Sequence, residues 1–223
     1  MSTDIVKKNK DVLYSLKTAG TVTSLLKDLK SPEKFDKLLL ILLDSSGSMA
    51  DDMDRSTKIA VAWDVFHKKL LPNMSGWGYG IICFGGNAYW ELYPTSSPNA
   101  LNIRNPGASG GTSMGAALNL AWSCARTQAK EARFVLLSDG KPNDMPQDTI
   151  LSMVAECNQI PIDTVGIGEK NTHSIWSSYD PEFLMKISSL TKGIFSEAFS
   201  VAKLSETIKK LSPAERPLLG KIN

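Results

Sequence analysis

The sequence is poor in the features that mark membrane proteins and proteins that coat polyanions. Its longest aliphatic run, Leu38 to Leu43, has the length of one strand, whereas a helix that crosses a bilayer needs roughly 20 apolar residues. The chain carries 25 Lys and Arg against 23 Asp and Glu, so its formal net charge is only +2. Nucleic-acid binding requires a concentrated basic face. We therefore expect neither a membrane nor a nucleic acid as partner.

Cysteine is scarce as well, and the amino terminus has no apolar signal core. Cys83, Cys124 and Cys157 lie in separate apolar segments, without the Cys-x-x-Cys spacing typical of zinc or redox sites. We interpret them as reduced core residues, which are usual in the cytoplasm. Lysines interrupt the first residues of the chain, where a secretory signal would place its apolar stretch. The expected location is therefore cytoplasmic.

The chain divides into regions of different composition. Residues 1–35 are rich in lysine and place leucines at helical spacing, which predicts an N-terminal helical extension. This extension either packs on the edge of the domain or serves as a docking arm for a partner. Residues 36–211 hold the main domain. Residues 212–223 contain two prolines and are predicted to form a loose C-terminal tail.

Strand and helix patterns alternate through the main domain. The predicted strands are Leu38–Leu43, Trp77–Phe84, Ala88–Tyr93, Arg133–Leu137, Ile160–Ile167 and Gly193–Phe195. The predicted helices are Lys58–Leu71, Met114–Ala125, Gln147–Cys157, Pro181–Leu190 and Val201–Leu211. This alternation predicts an α/β fold with a doubly wound, mostly parallel sheet, helices on both faces and one antiparallel edge strand. Binding sites in such sheets form at the carboxyl ends of the strands.

Carboxylates and hydroxyls gather at these predicted strand ends. Asp44 ends the first strand, and Ser46 and Ser48 alternate along the loop after it. Thr112 follows two glycines just before a helix, and Asp139 follows the strand that begins at Arg133. Hard oxygen ligands suit Mg²⁺ or Mn²⁺. Two carboxylates balance the charge of such an ion without excess, so the ion stays able to accept a carboxylate oxygen from a partner's Asp or Glu.

The order Asp-x-Ser-x-Ser, Gly-Gly-Thr-Ser and Ser-Asp-Gly resembles the metal-ion-dependent adhesion site of the von Willebrand factor A domain family. The resemblance covers about residues 36–211. It implies that Ser46, Ser48 and Thr112 are direct ligands of the ion, with Asp44 and Asp139 close by and often acting through water. It also implies a Rossmann-like doubly wound fold, and it implies that the function is to bind other proteins.

The resemblance extends to a subgroup of the family. A stand-alone copy of this size looks like bacterial members, including those associated with tellurite-resistance and stress operons. Such members are often paired with kinases, phosphatases or AAA-type ATPases, which are therefore the implied classes of partner. We expect a Mg²⁺-dependent protein-binding module with no catalytic activity of its own.

Residues beside the expected ligands are the candidates for contact with the partner. They are Met49, Ser113, Met114, Lys141 and Asp144. They are chosen because they neighbour the ligands in the sequence, and loop tips around a site usually select what binds there.

An enzyme is the alternative interpretation. A carboxylate after the first strand, a Ser or Thr, a lysine and an acidic turn also occur in phosphohydrolases of the haloacid-dehalogenase type, with Asp44 as the nucleophile. That class places an acidic general acid two residues after the nucleophile, where this chain has Ser46. Because a serine hydroxyl is a far weaker acid than a carboxylic acid, the protein-binding interpretation is favoured.

Overall fold

The computed structural model describes residues 33–97, 105–168, 180–216 and 220–222. The chain divides into two compact units, Met1–Glu33 and Lys34–Asn223. The helices predicted before residue 33 lie outside the described residues. Every strand and helix named in this section belongs to the second unit.

The second unit alternates strands and helices in chain order. Its strands are β1 (Phe35–Asp44), β2 (Asp52–Met53), β3 (Ser56–Thr57), β4 (Gly78–Phe84), β5 (Ala88–Thr95), β6 (Ala129–Ser138), β7 (Ile162–Ile167), β8 (Phe195–Ala198) and β9 (Gly220–Lys221). Its α-helices are α1 (Lys58–Val65), α2 (Met114–Gln128), α3 (Gln147–Glu156), α4 (Pro181–Leu190) and α5 (Val201–Lys210).

The main sheet has the order β5-β4-β1-β6-β7-β8, and β9 pairs with the start of β6. Strands β4, β1, β6, β7 and β8 run parallel, and β5 pairs antiparallel with β4 at the edge. The predicted α/β fold with one antiparallel edge strand is therefore confirmed. Along the chain, the sheet grows from β1 toward β4 and β5, and then from β6 in the opposite direction. Such a switch point leaves a crevice at the strand ends.

Strand β1 is buried on both faces, as its aliphatic run predicts. Alternate side chains point to opposite sides of a strand. Leu39, Ile41 and Leu43 belong to one apolar core, which also contains residues of α1 and α5. Leu38, Leu40 and Leu42 belong to the other, together with residues of α2, α3 and α4. Helices thus cover both faces, and the end of β1 is fixed from both sides.

Several element bounds differ from the predictions in detail. Helix α1 is followed without a break by a π-helical segment, Phe66–Leu70, and a 3₁₀ turn, Leu71–Asn73. The final strand predicted for the main domain, β8, lies at Phe195–Ala198 rather than Gly193–Phe195. β2 and β3 form a short antiparallel pair in a segment that no strand pattern indicated.

The prediction of a loose C-terminal tail is wrong for the residues described there. The Arg216 guanidinium donates from Nε to both carboxylate oxygens of Asp163 at 3.1 Å. β9 adds an antiparallel pair to the start of β6, with Lys221 opposite Glu131. Pro213 follows the end of α5 without preventing the described residues beyond it from packing, because an ion pair and backbone hydrogen bonds hold them.

Candidate metal site

Asp44 is the last residue of β1 and is fully buried. Its Oδ1 accepts a hydrogen bond from the backbone N–H of Ser46 at 2.8 Å, and its Oδ2 accepts one from the hydroxyl of Ser138 at 2.5 Å. Burial, aided by the nearby charge of Asp139, raises the pKa of Asp44 to about 6 against the lowering effect of these hydrogen bonds. A carboxylate held in this way gains from a nearby cation.

Ser46, Ser48 and Asp139 form a chain of side-chain hydrogen bonds. The hydroxyl oxygens of Ser46 and Ser48 are 3.1 Å apart, and the Ser48 hydroxyl donates to Oδ1 of Asp139 at 2.7 Å. The 3₁₀ turn Gly47–Ala50 curls the loop after β1 and brings alternate residues to one place. Four of the five predicted ligand positions are thus joined, directly or through the Ser46 N–H, at the ends of two adjacent parallel strands.

Thr112 is buried on a neighbouring loop that contacts the first. The Gly47 N–H donates to the Gly110 carbonyl at 3.1 Å. Asn143 bonds to both backbone polar groups of Thr112. Its side-chain Oδ1 accepts from the Thr112 N–H at 2.8 Å, and its backbone N–H donates to the Thr112 carbonyl at 3.1 Å. The loop after β6 therefore holds the backbone of Thr112, and the loop after β1 contacts the same segment two residues earlier, at Gly110.

Gly110 allows the loop before α2 to approach the turn between β4 and β5 closely. Gly110 has φ +77°, and a Cβ at this position would lie 2.8 Å from the Gly86 backbone nitrogen. A side chain there would meet both the strain of a left-handed conformation and a clash with main-chain atoms. Gly110, the first of the two glycines before Thr112, is therefore required for loop packing beside the site.

Lys58 is a residue of this site that sequence reasoning missed. It is the first residue of α1, and its Nζ lies 2.7 Å from Oδ2 of Asp139. It also contacts the Ser48 carbonyl and Oδ2 of Asp51, both at 3.4 Å. Burial would lower the pKa of Lys58, but the hydrogen bond and charge of Asp139, with Asp51, raise it. A lysine at the amino end of a helix is unfavourable without an acidic partner. Its position at the start of a predicted helix was therefore the sequence signal that could have identified it.

The donor set fits Mg²⁺ or Mn²⁺ in its chemistry. No group of three or more His, Cys, Asp or Glu side chains suited to a metal occurs within the described ranges. The candidate site consists instead of neutral hydroxyls backed by the buried carboxylates Asp44 and Asp139. Hydroxyl and carboxylate oxygens are ligands that these hard ions accept, whereas zinc and copper prefer nitrogen and sulfur.

Three of the five candidates for partner contact are buried. Met49 and Met114 have no exposed surface and lie in the two apolar cores. The prediction that they contact a partner is wrong, because the 3₁₀ turn and the first turn of α2 point them inward. Ser113 is 6% exposed, and its hydroxyl donates to the Gly86 carbonyl at 2.9 Å. Its side chain ties two loops together and offers almost no surface.

Lys141 and Asp144 are exposed and stay candidates for partner contact. Asp144 also has a structural role, because its carboxylate accepts from the N–H groups of Gly115 and Ala116 at 3.4 and 2.9 Å. It thereby caps α2, whose own N-cap residue makes no side-chain cap. Lys141 lies 4.0 Å from Asp180 in a partly exposed ion pair.

The part of the chain that the structure describes has no helix with the length and apolarity required to cross a membrane.

Comparison with known proteins gives a family-model match over part of the chain and a shared fold. Residues 39–141 match the family model of the von Willebrand factor type A domain. This span contains all five predicted ligand positions. No curated protein matches the chain.

Solved structures resemble the chain at low sequence identity. The conserved hypothetical protein BatB from Bacteroides thetaiotaomicron is 22% identical with a TM-score of 0.62, over 78% of this chain and 95% of that one. A von Willebrand factor type A protein from Catenulispora acidiphila is 20% identical with a TM-score of 0.60, over 82% of this chain but only 42% of that one. An aerotolerance-related membrane protein from Bacteroides fragilis is 20% identical with a TM-score of 0.57, over 78% of this chain and 96% of that one. The family model thus matches a segment of the chain that holds the candidate site, and the solved structures share its fold.

Proposed function

We propose that this domain binds proteins through a divalent cation, Mg²⁺ or Mn²⁺, held by Ser46, Ser48 and Thr112. The observation that carries this proposal is the hydrogen-bond chain from Ser46 through Ser48 to Asp139, built at the carboxyl ends of β1 and β6. When bound, the ion supplies an electrophilic position for an anionic oxygen from a partner. Type A domains commonly mediate protein interactions, which agrees with this role.

The buried carboxylates orient the hydroxyl ligands in this proposal. Asp139 accepts the hydrogen bond that the Ser48 hydroxyl donates, so the lone pairs of the Ser48 oxygen are left for the ion. Asp44 accepts the N–H of Ser46 and fixes the start of the loop that carries both serines. Such outer hydrogen bonds commonly change metal affinity by about 10- to 100-fold.

The partner in this proposal presents an Asp or Glu side chain. Kinases, phosphatases and AAA-type ATPases, in a bacterial stress or tellurite-resistance system, are the classes that the family resemblance implies. A cytoplasmic setting belongs to the same proposal, and free thiols at Cys83, Cys124 and Cys157 agree with it. Lys141, which is exposed beside the site, is the side chain that we expect to contact such an acidic partner.

A phosphohydrolase that uses Asp44 as nucleophile is not favoured. Both carboxylate oxygens of Asp44 accept hydrogen bonds, and the side chain has no exposed surface from which to attack a phosphate. Ser46 occupies the position where that class of enzyme places its general acid.

The decisive experiment measures Mn²⁺ binding by electron paramagnetic resonance in the wild type, Thr112→Ala and Thr149→Ala. Thr149 is exposed on α3 and controls for the loss of a threonine. We expect the wild type and Thr149→Ala to bind alike, and Thr112→Ala to lose at least about tenfold in affinity. Equal affinity in all three proteins contradicts the proposed ligand set.

Partner capture is the second arm of the same experiment. Immobilised wild-type protein is exposed to native lysate with Mg²⁺ or with EDTA, beside Thr112→Ala. We expect a protein that is retained only with Mg²⁺ and only by the wild type. If the same proteins are retained with EDTA and by the variant, the metal is not the point of contact.

A further inference from the structure

Lys58 is a buried cation beside the candidate metal site, and the proposed ligand set gives it no role. Its side chain is 10% exposed, and that of its partner Asp139 is 1% exposed. Exposed ion pairs contribute little, but removal of one member of a buried pair leaves an uncompensated charge. The ammonium group of Lys58 is therefore a permanent part of the site's electrostatics.

The two oxygens of Asp139 have different partners. Oδ1 accepts the Ser48 hydroxyl at 2.7 Å, and Oδ2 accepts the Lys58 ammonium group, also at 2.7 Å. A direct bond from Asp139 to an ion requires that it give up one of these partners. If Asp139 gave up Lys58, the buried ammonium group would keep only the Ser48 carbonyl and Oδ2 of Asp51, each at 3.4 Å. Lys58 therefore keeps Asp139 behind Ser48, which means hydrogen-bonded to the Ser48 hydroxyl and not bonded directly to the ion.

Lys58 also changes the charge that an ion would meet. Asp44 and Asp139 are the buried carboxylates of the site, and Lys58 offsets one of them. Asp51 adds less, because its side chain is 66% exposed and water screens it. A divalent ion at a site with one net negative charge keeps a net positive charge, which an external carboxylate neutralises.

We propose that Lys58 is a positioning residue that restrains Asp139 behind Ser48 and offsets its charge, so that the site binds a divalent ion less tightly but gives the bound ion a stronger affinity for an external carboxylate. This inference rests on the proposed function. One lysine would then set both the affinity of the site for the ion and the affinity of the bound ion for the partner's carboxylate.

The test measures Mn²⁺ affinity by electron paramagnetic resonance and then acetate affinity of the Mn²⁺-loaded protein by water-proton relaxation. Lys58→Met removes charge and donor, Lys58→Gln removes the charge but keeps a donor, and Lys58→Arg keeps both. Lys68→Met is the matched control, because Lys68 forms an exposed pair with Asp64 outside the site. Thermal unfolding verifies that each variant is folded, and Lys58→Gln alone suffices if Lys58→Met does not fold.

We expect Lys58→Met and Lys58→Gln to bind Mn²⁺ about tenfold more tightly than the wild type, because a competing positive charge is gone. We expect their Mn²⁺-loaded forms to bind acetate more weakly. Lys58→Arg and Lys68→Met should stay within about twofold of the wild type in both measurements. Opposite changes in the two affinities are not expected from a merely structural role.

Failure of the inference is distinguishable from failure of the proposed function. If Thr112→Ala lowers Mn²⁺ affinity but Lys58→Gln binds Mn²⁺ no more tightly than the wild type, the role of Lys58 is overturned and the metal site stands. If the wild type binds no Mn²⁺, or Thr112→Ala binds it equally well, the proposed function fails and the inference fails with it.

Discussion

The hydroxyl of Ser48 donates to Oδ1 of Asp139 at 2.7 Å, across 91 positions of sequence. This bond joins the loop after β1 to the end of β6, two strands that pair in parallel. It gives Ser48 two functions in our proposal, since the same oxygen orients Asp139 and offers lone pairs to the ion.

We expect Ser48→Ala to lower Mn²⁺ affinity at least about tenfold. Titration calorimetry measures the affinity, and Ser152→Ala is the control, because Ser152 is exposed on α3 and its hydroxyl only bonds back to the Asp148 carbonyl. Unchanged affinity in Ser48→Ala would remove this residue from the ligand set.

Substitutions at Gly110 and Gly107 distinguish the cost of backbone strain from the cost of disturbed loop packing. Both have positive φ, +77° and +73°, but a Cβ on Gly107 meets nothing within 4 Å, whereas one on Gly110 meets the Gly86 backbone. We expect Gly107→Ala to cost about 1 kcal/mol in the free energy of unfolding, and Gly110→Ala to cost more and to weaken Mn²⁺ binding. Urea denaturation with and without Mn²⁺ measures both. Equal effects of the two substitutions would mean that the contact with Gly86 is unimportant.

Asn143 and Asp144 are adjacent residues with separable roles. Asn143 holds the Thr112 backbone, and Asp144 caps α2. We expect Asp144→Ala to lose about 1 kcal/mol of stability with Mn²⁺ affinity unchanged, and Asn143→Ala to lower Mn²⁺ affinity. Thermal unfolding and Mn²⁺ titration of the two variants check this. The assignment is contradicted if Asn143→Ala keeps wild-type affinity or if Asp144→Ala loses it.

Asp163, in β7, forms ion pairs with two arginines, Arg133 and Arg216. Its carboxylate lies 3.4 Å from the fully buried Arg133 and accepts from Arg216 Nε and the Ile194 N–H. Burial lowers the pKa of Arg133 to about 10, although the charge of Asp163 opposes this.

We therefore expect Asp163→Ala to destabilise the fold by about 3–5 kcal/mol, since it leaves a buried guanidinium group without its counter-ion. Asp36→Ala is the control, because Asp36 pairs with Lys130 at the surface, and its removal should leave the free energy of unfolding almost unchanged. Guanidinium denaturation compares the variants. Similar small losses in both would show that the Asp163 network contributes no more than a surface pair.

The regular elements were predictable because their apolar patterns are strong. Leu38–Leu43 has the pattern of a strand buried on both faces, and α1 and α5 have apolar residues at helical spacing. β9 carries no such pattern. It has a glycine and a lysine, and it forms because Arg216 and the start of β6 hold the preceding chain in place. Tertiary contacts of this kind leave no periodic trace in the sequence.

The site could be predicted in its ligands and not in its surroundings. Strand ends place Asp44 and Asp139 at the same edge whatever the loops do, because β1 and β6 are neighbours. Which loop side chains face solvent depends on turn geometry, and the 3₁₀ turn that directs Met49 into the core has no clear sequence mark. Lys58 was missed for a related reason, since its partner Asp139 is distant in sequence.

The pairing of β9 with the start of β6 determines how the protein is best attached to a surface. The Ile222 N–H bonds to the Lys130 carbonyl, at the amino end of β6, whereas Asp139 follows the other end of that strand. The run from Lys130 to Asp139 spans about 30 Å at the rise of a strand. A tether added after Ile222 would therefore leave from the side opposite the candidate site, and immobilised protein would present that site to the solution.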